Sequence, residues 1–154
     1  MLYFPQSQGA SFAAEKGARG AARDGHRVRG ERFSMADETG DIEARLERAI
    51  QHKIQGEYDD AVTLLSGILA EASEHARAHH QLGLVYGFTG LFDESVEEME
   101  TAARLEPDSI LILNDLGKTH TMLGDYEKAI PVFERVLERD PLNEEAIKNL
   151  KFLR

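Results

Sequence analysis

The chain has 154 residues, 42% of them hydrophobic and 30% charged, with a formal net charge of -10 and no cysteine. That length suits one ordinary domain, and the missing cysteines exclude a disulfide scaffold, a thiolate zinc site, a cysteine nucleophile and an acylated lipoprotein anchor. No stretch approaches the ~18 apolar residues of a membrane span, and the acidic balance opposes the phosphate backbone of nucleic acids, so a soluble cytoplasmic protein with neither membrane insertion nor a nucleic-acid partner is expected.

In chain order the first feature is a basic, Ala/Gly/Arg-rich segment. Residues 1–34 carry six basic side chains (Lys16, Arg19, Arg23, Arg27, Arg29, Arg32) against three acids (Glu15, Asp24, Glu31), whereas residues 35–154 carry 12 against 25. Apolar residues there follow no helical or strand period, so the segment buries too little to offset its ordering entropy. We expect disorder over 1–40 and a folded domain over 41–154. A secretory signal is opposed by Pro5 and Gln6, which interrupt Leu2, Tyr3 and Phe4. A transit peptide fits the arginines but not Asp24 and Glu31. A true start at Met35, or a real unstructured tail, are the other readings.

From Ile42 a period of 34 runs through the sequence: Leu82-Gly83 recurs as Leu116-Gly117, Gly90 as Gly124, Phe92 as Tyr126, Met99 as Phe133 and Pro107 as Pro141. One period earlier stand Ala49, Gly56, Tyr58, Leu65, Ile68 and Ser73. The units are 42–75, 76–109 and 110–143. In each, apolar residues three and four apart form two runs around a glycine, which predicts two antiparallel helices. Gly56, Gly90 and Gly124 fit left-handed helix ends, and Pro107 and Pro141 bar continuation of the second helix. Asp125, Asn143 and Ser73 are candidate N-caps. Gly83, Gly117 and Ala49 allow paired helices to approach closely. Residues 144–154 place Ile147, Leu150 and Leu153 three apart and are expected to form a capping helix over the last unit, making seven helices.

The 34-residue period, Leu82-Gly83-x-x-Tyr86, Ala129-x-x-x-Phe133 and the closing Pro107 and Pro141 resemble the tetratricopeptide repeat family. The resemblance implies an all-α, right-handed superhelix of three helix-turn-helix repeats. Unit one departs from the pattern with Arg45, Arg48 and Ser73, as expected of an end whose face is left wetted by the lack of an earlier helix.

Chemistry-bearing residues are sparse. His75 and His79 have the i,i+4 spacing of a zinc pair, but no further ligand is assured. His79 falls in an aromatic column of the repeat, and His52 and His120 fall in the column of Tyr86, which favours packing roles. No phosphate-binding glycine loop, nucleophile elbow or metalloprotease motif occurs, and the carboxylate runs fall on faces expected to be exposed. The expectation is no enzyme, no metal and no cofactor.

The resemblance implies a concave groove lined by the first helix of each unit. The matching positions are Leu46, Ile50, Lys53 and Ile54; Arg77, His80, Leu84 and Phe88; and Leu111, Asn114, Lys118, Thr121 and Met122. This strip is more apolar and basic than the chain average and suggests a protein or peptide partner with apolar anchors and some acidic character. Family members that clamp the C-terminal carboxylate of heat-shock chaperones use Lys and Asn in the first unit, Asn in the second, and Lys and Arg in the third. Here those places hold Leu46, Ile50, Gln81, Leu111 and Asp115, so that clamp is not expected. The leading expectation is a non-enzymatic adaptor. The alternatives are a chaperone of secretion-system substrates, a regulatory subunit of a larger assembly, and a self-associating homo-oligomer.

Overall fold

The computed structural model describes residues 41–154; the expectations for residues 1–40, including disorder and a start at Met35, lie outside the described residues. Seven helices and no strand occur among the described residues: α1 (Ile42–Gln55), α2 (Tyr58–Glu71), α3 (Ala76–Thr89), α4 (Phe92–Leu105), α5 (Ile110–Leu123), α6 (Tyr126–Arg139) and α7 (Glu144–Leu153). Each helix packs on the next in the chain, building an all-α repeat superhelix in which odd-numbered helices also meet one another, α1 with α3 and α5 with α7.

The turns follow from backbone chemistry. Gly56, Gly90 and Gly124 adopt φ of 81°, 83° and 80°, a region that side-chain-bearing residues rarely enter. The reversal lets the amides of Glu57, Leu91 and Asp125 each reach back 2.9 Å to a carbonyl of the finished helix, at His52, Tyr86 and His120. Asn143 caps α7, its Oδ1 accepting from the Ala146 amide at 3.0 Å. Two other cap expectations are corrected. His75 rather than Ser73 caps α3, with its Nδ1 accepting from the Ala78 amide at 3.2 Å. Asp125 stands at the N-cap of α6 but makes no side-chain capping bond.

The apolar interior forms two clusters. One joins units one and two through Leu46, Leu65, Ile68, Leu82 and Val85. The other joins unit two to α7 through Met99, Leu113, Leu116, Phe133, Val136 and Leu150. Ala146 and Leu150 are buried in this second cluster, which is how α7 covers the last unit. The face of unit one is not left to water by its arginine at position 45. Arg45 is buried, and its guanidinium makes a two-pronged contact with the Glu71 carboxylate at 2.7 and 2.6 Å, tying α1 to α2. His120, in the column of Tyr86, is also buried; burial pushes its imidazole pKa below the ordinary value, with Glu100 opposing that shift.

Gly117 and Gly83 sit where paired helices touch. A Cβ at Gly117 would lie 2.7 Å from the fully buried Phe133 ring, whereas a Cβ at Gly67 in α2 would meet nothing within 4 Å. In an open helical position alanine gains about 0.5–1 kcal/mol over glycine, while overpacking a core typically costs about 1–3 kcal/mol. Gly67→Ala should therefore stabilise the protein and Gly117→Ala should destabilise it, with Gly117→Leu worse still. Urea denaturation of the three variants checks this; equal shifts for Gly67→Ala and Gly117→Ala would refute the close contact.

Candidate functional site

The 34-residue register places the first helix of each unit in the same orientation, so equivalent residues form columns along one face. The floor column, Leu46, His80 and Asn114, is closed to solvent. Leu46 is 0% exposed and belongs to the core between α1, α2 and α3, so it is a packing residue rather than an anchor. His80 and Asn114 are also buried: His80 Nε2 joins unit two to unit three by donating to Asp115 Oδ2 at 2.7 Å, and Asn114 Nδ2 donates at 3.2 Å to Oδ1 of Asn143, the N-cap of α7.

The wall column begins with Ile50 and Leu84, both partly buried against the core. Lys118 follows, and one period further stands Phe152, 74% exposed on α7. Phe152 was missed by the sequence reading because α7 was treated as a cap; its signal was the interval of one period from Lys118. The edge column is the most apolar. Ile54, Phe88 and Met122 are 68%, 62% and 71% exposed. Phe88 is held by Tyr58 of α2, with ring centroids 6.0 Å apart and planes 22° from parallel. Leu111 is exposed at the opposite rim, and the Thr121 hydroxyl is committed to the Gly117 carbonyl at 2.8 Å.

The basic residues of the strip are not waiting for a ligand. Lys53 Nζ donates to Gln81 Oε1 at 2.5 Å, and burial lowers its pKa, with Asp115 acting the other way. Arg77 donates to Glu43 Oε2 at 2.8 Å and to Glu47 Oε1 at 3.5 Å. Lys118 lies 2.7 Å from Asp115 Oδ1 and 2.9 Å from Glu145 Oε1. Burial alone would raise the Asp115 carboxyl, but hydrogen bonds from His80 and Lys118 outweigh it and hold the group below its ordinary value. Burial would likewise lower Lys118, yet its bonds to Asp115 and Glu145 leave it raised. Arg77 and Lys118 thus meet Glu43, Glu47, Asp115 and Glu145 while Lys53 meets Gln81, pairings the sequence reading did not assign because it followed only the groove columns.

The histidine pair has no lone pair to spare. His75 Nδ1 accepts from a backbone amide, while the two ring nitrogens of His79 face Glu98 Oε2 at 2.5 Å and the Ser73 carbonyl at 2.9 Å. His52, Glu57 and Asp60 bring ligand-type atoms within 4.8 Å of one another at the first turn, but this trio is largely exposed and His52 already bonds Glu57 at 2.5 Å. No helix among the described residues is long and apolar enough to cross a membrane.

Paired helices stacked in register define an all-α helical-repeat fold. Residues 74–141 match the model of the tetratricopeptide repeat family, and over that stretch this chain is similar to that family. It is 30% identical over 74 residues to BBSome complex member BBS4 of Mus musculus, covering 48% of this chain and 14% of that protein. It is 26% identical over 90 residues to anaphase-promoting complex subunit 3 of Schizosaccharomyces pombe, covering 58% and 14%. The matches thus span about one seventh of each relative's length. Among solved structures, the first repeat domain of Spaghetti (RPAP3) bound to the HSP90 peptide SRMEEVD superposes with a TM-score of 0.68 at 21% identity, covering 73% of this chain and 89% of that one.

The Asp115 network has a pH signature. A carboxyl held lower in the folded chain contributes stability above its unfolded pKa of ~3.9, and that contribution is lost as pH falls from there through the folded value. Asp115→Asn should cost about 1–3 kcal/mol at neutral pH, the range for a disrupted buried hydrogen bond, and progressively less below pH ~3.9. Chemical denaturation at neutral and acid pH measures both; a difference that stays constant with pH would exclude the charged network.

Proposed function

We propose that this protein is a non-enzymatic adaptor whose concave face takes up a segment of a protein partner through apolar anchors. The observation that carries this reading is the edge column Ile54, Phe88 and Met122, one large apolar side chain per unit, each more than half exposed and spaced by the repeat. Protein–protein interaction is the general role of tetratricopeptide repeats, and the Spaghetti domain holds a peptide. The ligand chemistry must differ from that neighbour's. The family's carboxylate clamp has no counterpart at Leu46, Ile50, Gln81, Leu111 and Asp115, and an acidic peptide end would meet a groove whose cations are already engaged. The acidic character expected of the partner from Lys53, Arg77 and Lys118 therefore gives way to an apolar preference.

A second reading is a subunit of a larger assembly, in the cytoplasm or elsewhere. It is favoured by the far end of the array, where Leu142 in the turn before α7 and Ile147 and Phe152 on α7 are exposed. BBS4 and anaphase-promoting complex subunit 3 are by name members of multi-subunit complexes.

Burying an apolar anchor is worth ~1.5–3 kcal/mol, whereas a rim ion pair gives ~0–1 kcal/mol. For a partner captured by pull-down, Phe88→Ala and Met122→Ala should each weaken binding about tenfold or more, equivalent to ~1.4 kcal/mol, with unchanged helical circular dichroism. If the partner binds both variants like the parent but loses Ile147→Glu, the assembly reading replaces the groove. If Phe88→Ala unfolds the chain, Phe88 is a structural residue and not an anchor.

A further inference from the structure

A second recess lies outside the groove strip. It opens between α2 and the end of α3, has a volume of about 370 Å³, and is walled by Tyr58, Asp59 and Val62 on one side and Tyr86 and Leu91 on the other. That volume lies at the lower end of the range for ligand sites and suits one long side chain. Its two threonines have spent their hydroxyl hydrogens on the backbone: Thr63 donates to the Asp59 carbonyl at 2.9 Å, and Thr89 lies within reach of the Val85 and Tyr86 carbonyls at 3.2 and 3.1 Å. Among the described residues no lysine or arginine lines the recess. An anion would find no charge to receive it.

A cation finds one charge and two aromatic rings. The Asp59 carboxylate is exposed and pairs with no described residue. The rings of Tyr58 and Tyr86 line the recess, and the face of an aromatic ring carries the negative side of its quadrupole. Burial raises the Tyr86 phenol above its ordinary pKa, and the nearby carboxylates of Glu98 and Glu94 add a smaller push in the same direction. From residue 35 onward the chain carries a 13-charge acidic excess, 25 acids to 12 bases, which draws a basic partner toward the surface. The fork of arginine fits better than the point charge of lysine, because a planar guanidinium can stack on a tyrosine while its N–H groups reach a carboxylate.

We propose that this recess is a docking site for an arginine side chain of a basic protein segment, with Asp59 as the counter-charge and Tyr58 and Tyr86 as the stacking walls. The site does not rest on the groove reading, but it adjoins it. Tyr58 is the ring on which the groove anchor Phe88 stacks, so a segment seated on Phe88 passes one ring away from the recess.

The test is a two-dimensional amide NMR titration of the full chain with the blocked peptide Gly-Arg-Gly and, separately, Gly-Glu-Gly. Gly-Arg-Gly should shift the amides of Thr63, Thr89 and Leu91, with the shifts reduced by added salt, while Gly-Glu-Gly should leave them in place. Asp59→Asn should weaken the arginine peptide by at least about threefold. Glu127→Gln, which removes an exposed charge two periods further along in the same column, should change nothing, and Met122→Ala should titrate like the parent, so that loss of groove binding is seen separately from loss of this site. The proposal is overturned if Asp59→Asn binds as tightly as the parent, if both peptides shift the same amides, or if arginine-induced shifts spread over the exposed carboxylates without favouring the recess.

Discussion

The contact on which the array depends is that between the first-helix glycine of units two and three and the bulky residue of its partner helix. Gly117 faces Phe133, and Gly83 faces Met99, whose Cγ would lie 2.9 Å from an added Cβ. Removing one side chain lets two helix backbones approach, and the large residue opposite fills the remaining space. Because Phe133 and Met99 are both fully or almost fully buried, the pair angle is set by hard packing rather than by the turn alone. Unit two adds a polar lock, Ser95 Oγ donating to the Gly83 carbonyl at 2.7 Å. Once each pair is fixed, stacking carries the first helices into register and the columns of the concave face follow.

Charge is handled on that face by mutual neutralisation between units. Glu43 and Arg77, one period apart, bind each other across units one and two. His80, Asp115, Lys118 and Glu145 form a chain from unit two to α7, partly closed to water. Such a network is sensitive to loss of one member, since the remaining charge would keep its desolvation penalty without its partner. It fixes the stacking of units at the expense of ligand-binding charge, leaving the projecting Ile54, Phe88, Met122 and Phe152 as the uncommitted features of the face.

The fold was legible because it is written several times. Helix pairs, left-handed glycines and the close approach at Gly83 and Gly117 follow from the period and from steric rules that need no knowledge of neighbours. Pro131 shows the limit of local rules. It lies inside α6, where a proline ordinarily costs ~3 kcal/mol, yet α6 runs through to Arg139 because Ala129, Phe133 and Val136 hold its inner face. For the proposed groove the sequence offered candidate positions but not their states. Leu46 shares its column with His80 and Asn114, but whether such a position is wall or core depends on what the adjacent helices bring, as does the conversion of Arg45 from a wetted residue to the buried partner of Glu71. Availability of Lys53, Arg77 and Lys118 likewise turned on partners outside the columns.

Two physically different surfaces result, and they imply a division of labour. An apolar column without free charge contributes most of its affinity through desolvation, which is short-ranged, weakly dependent on salt and tolerant of sequence variation in the ligand. The acidic recess beside it acts at longer range and demands one chemistry, so its contribution falls on encounter rate and choice of partner more than on lifetime. The shared element is Tyr58, which supports Phe88 in one column and walls the recess in the other. A ligand carrying an apolar residue alone would engage the column without discrimination. One that also carries a base near that residue would satisfy Asp59 at the same time, and holding both in one segment makes the second contact intramolecular once the first is formed.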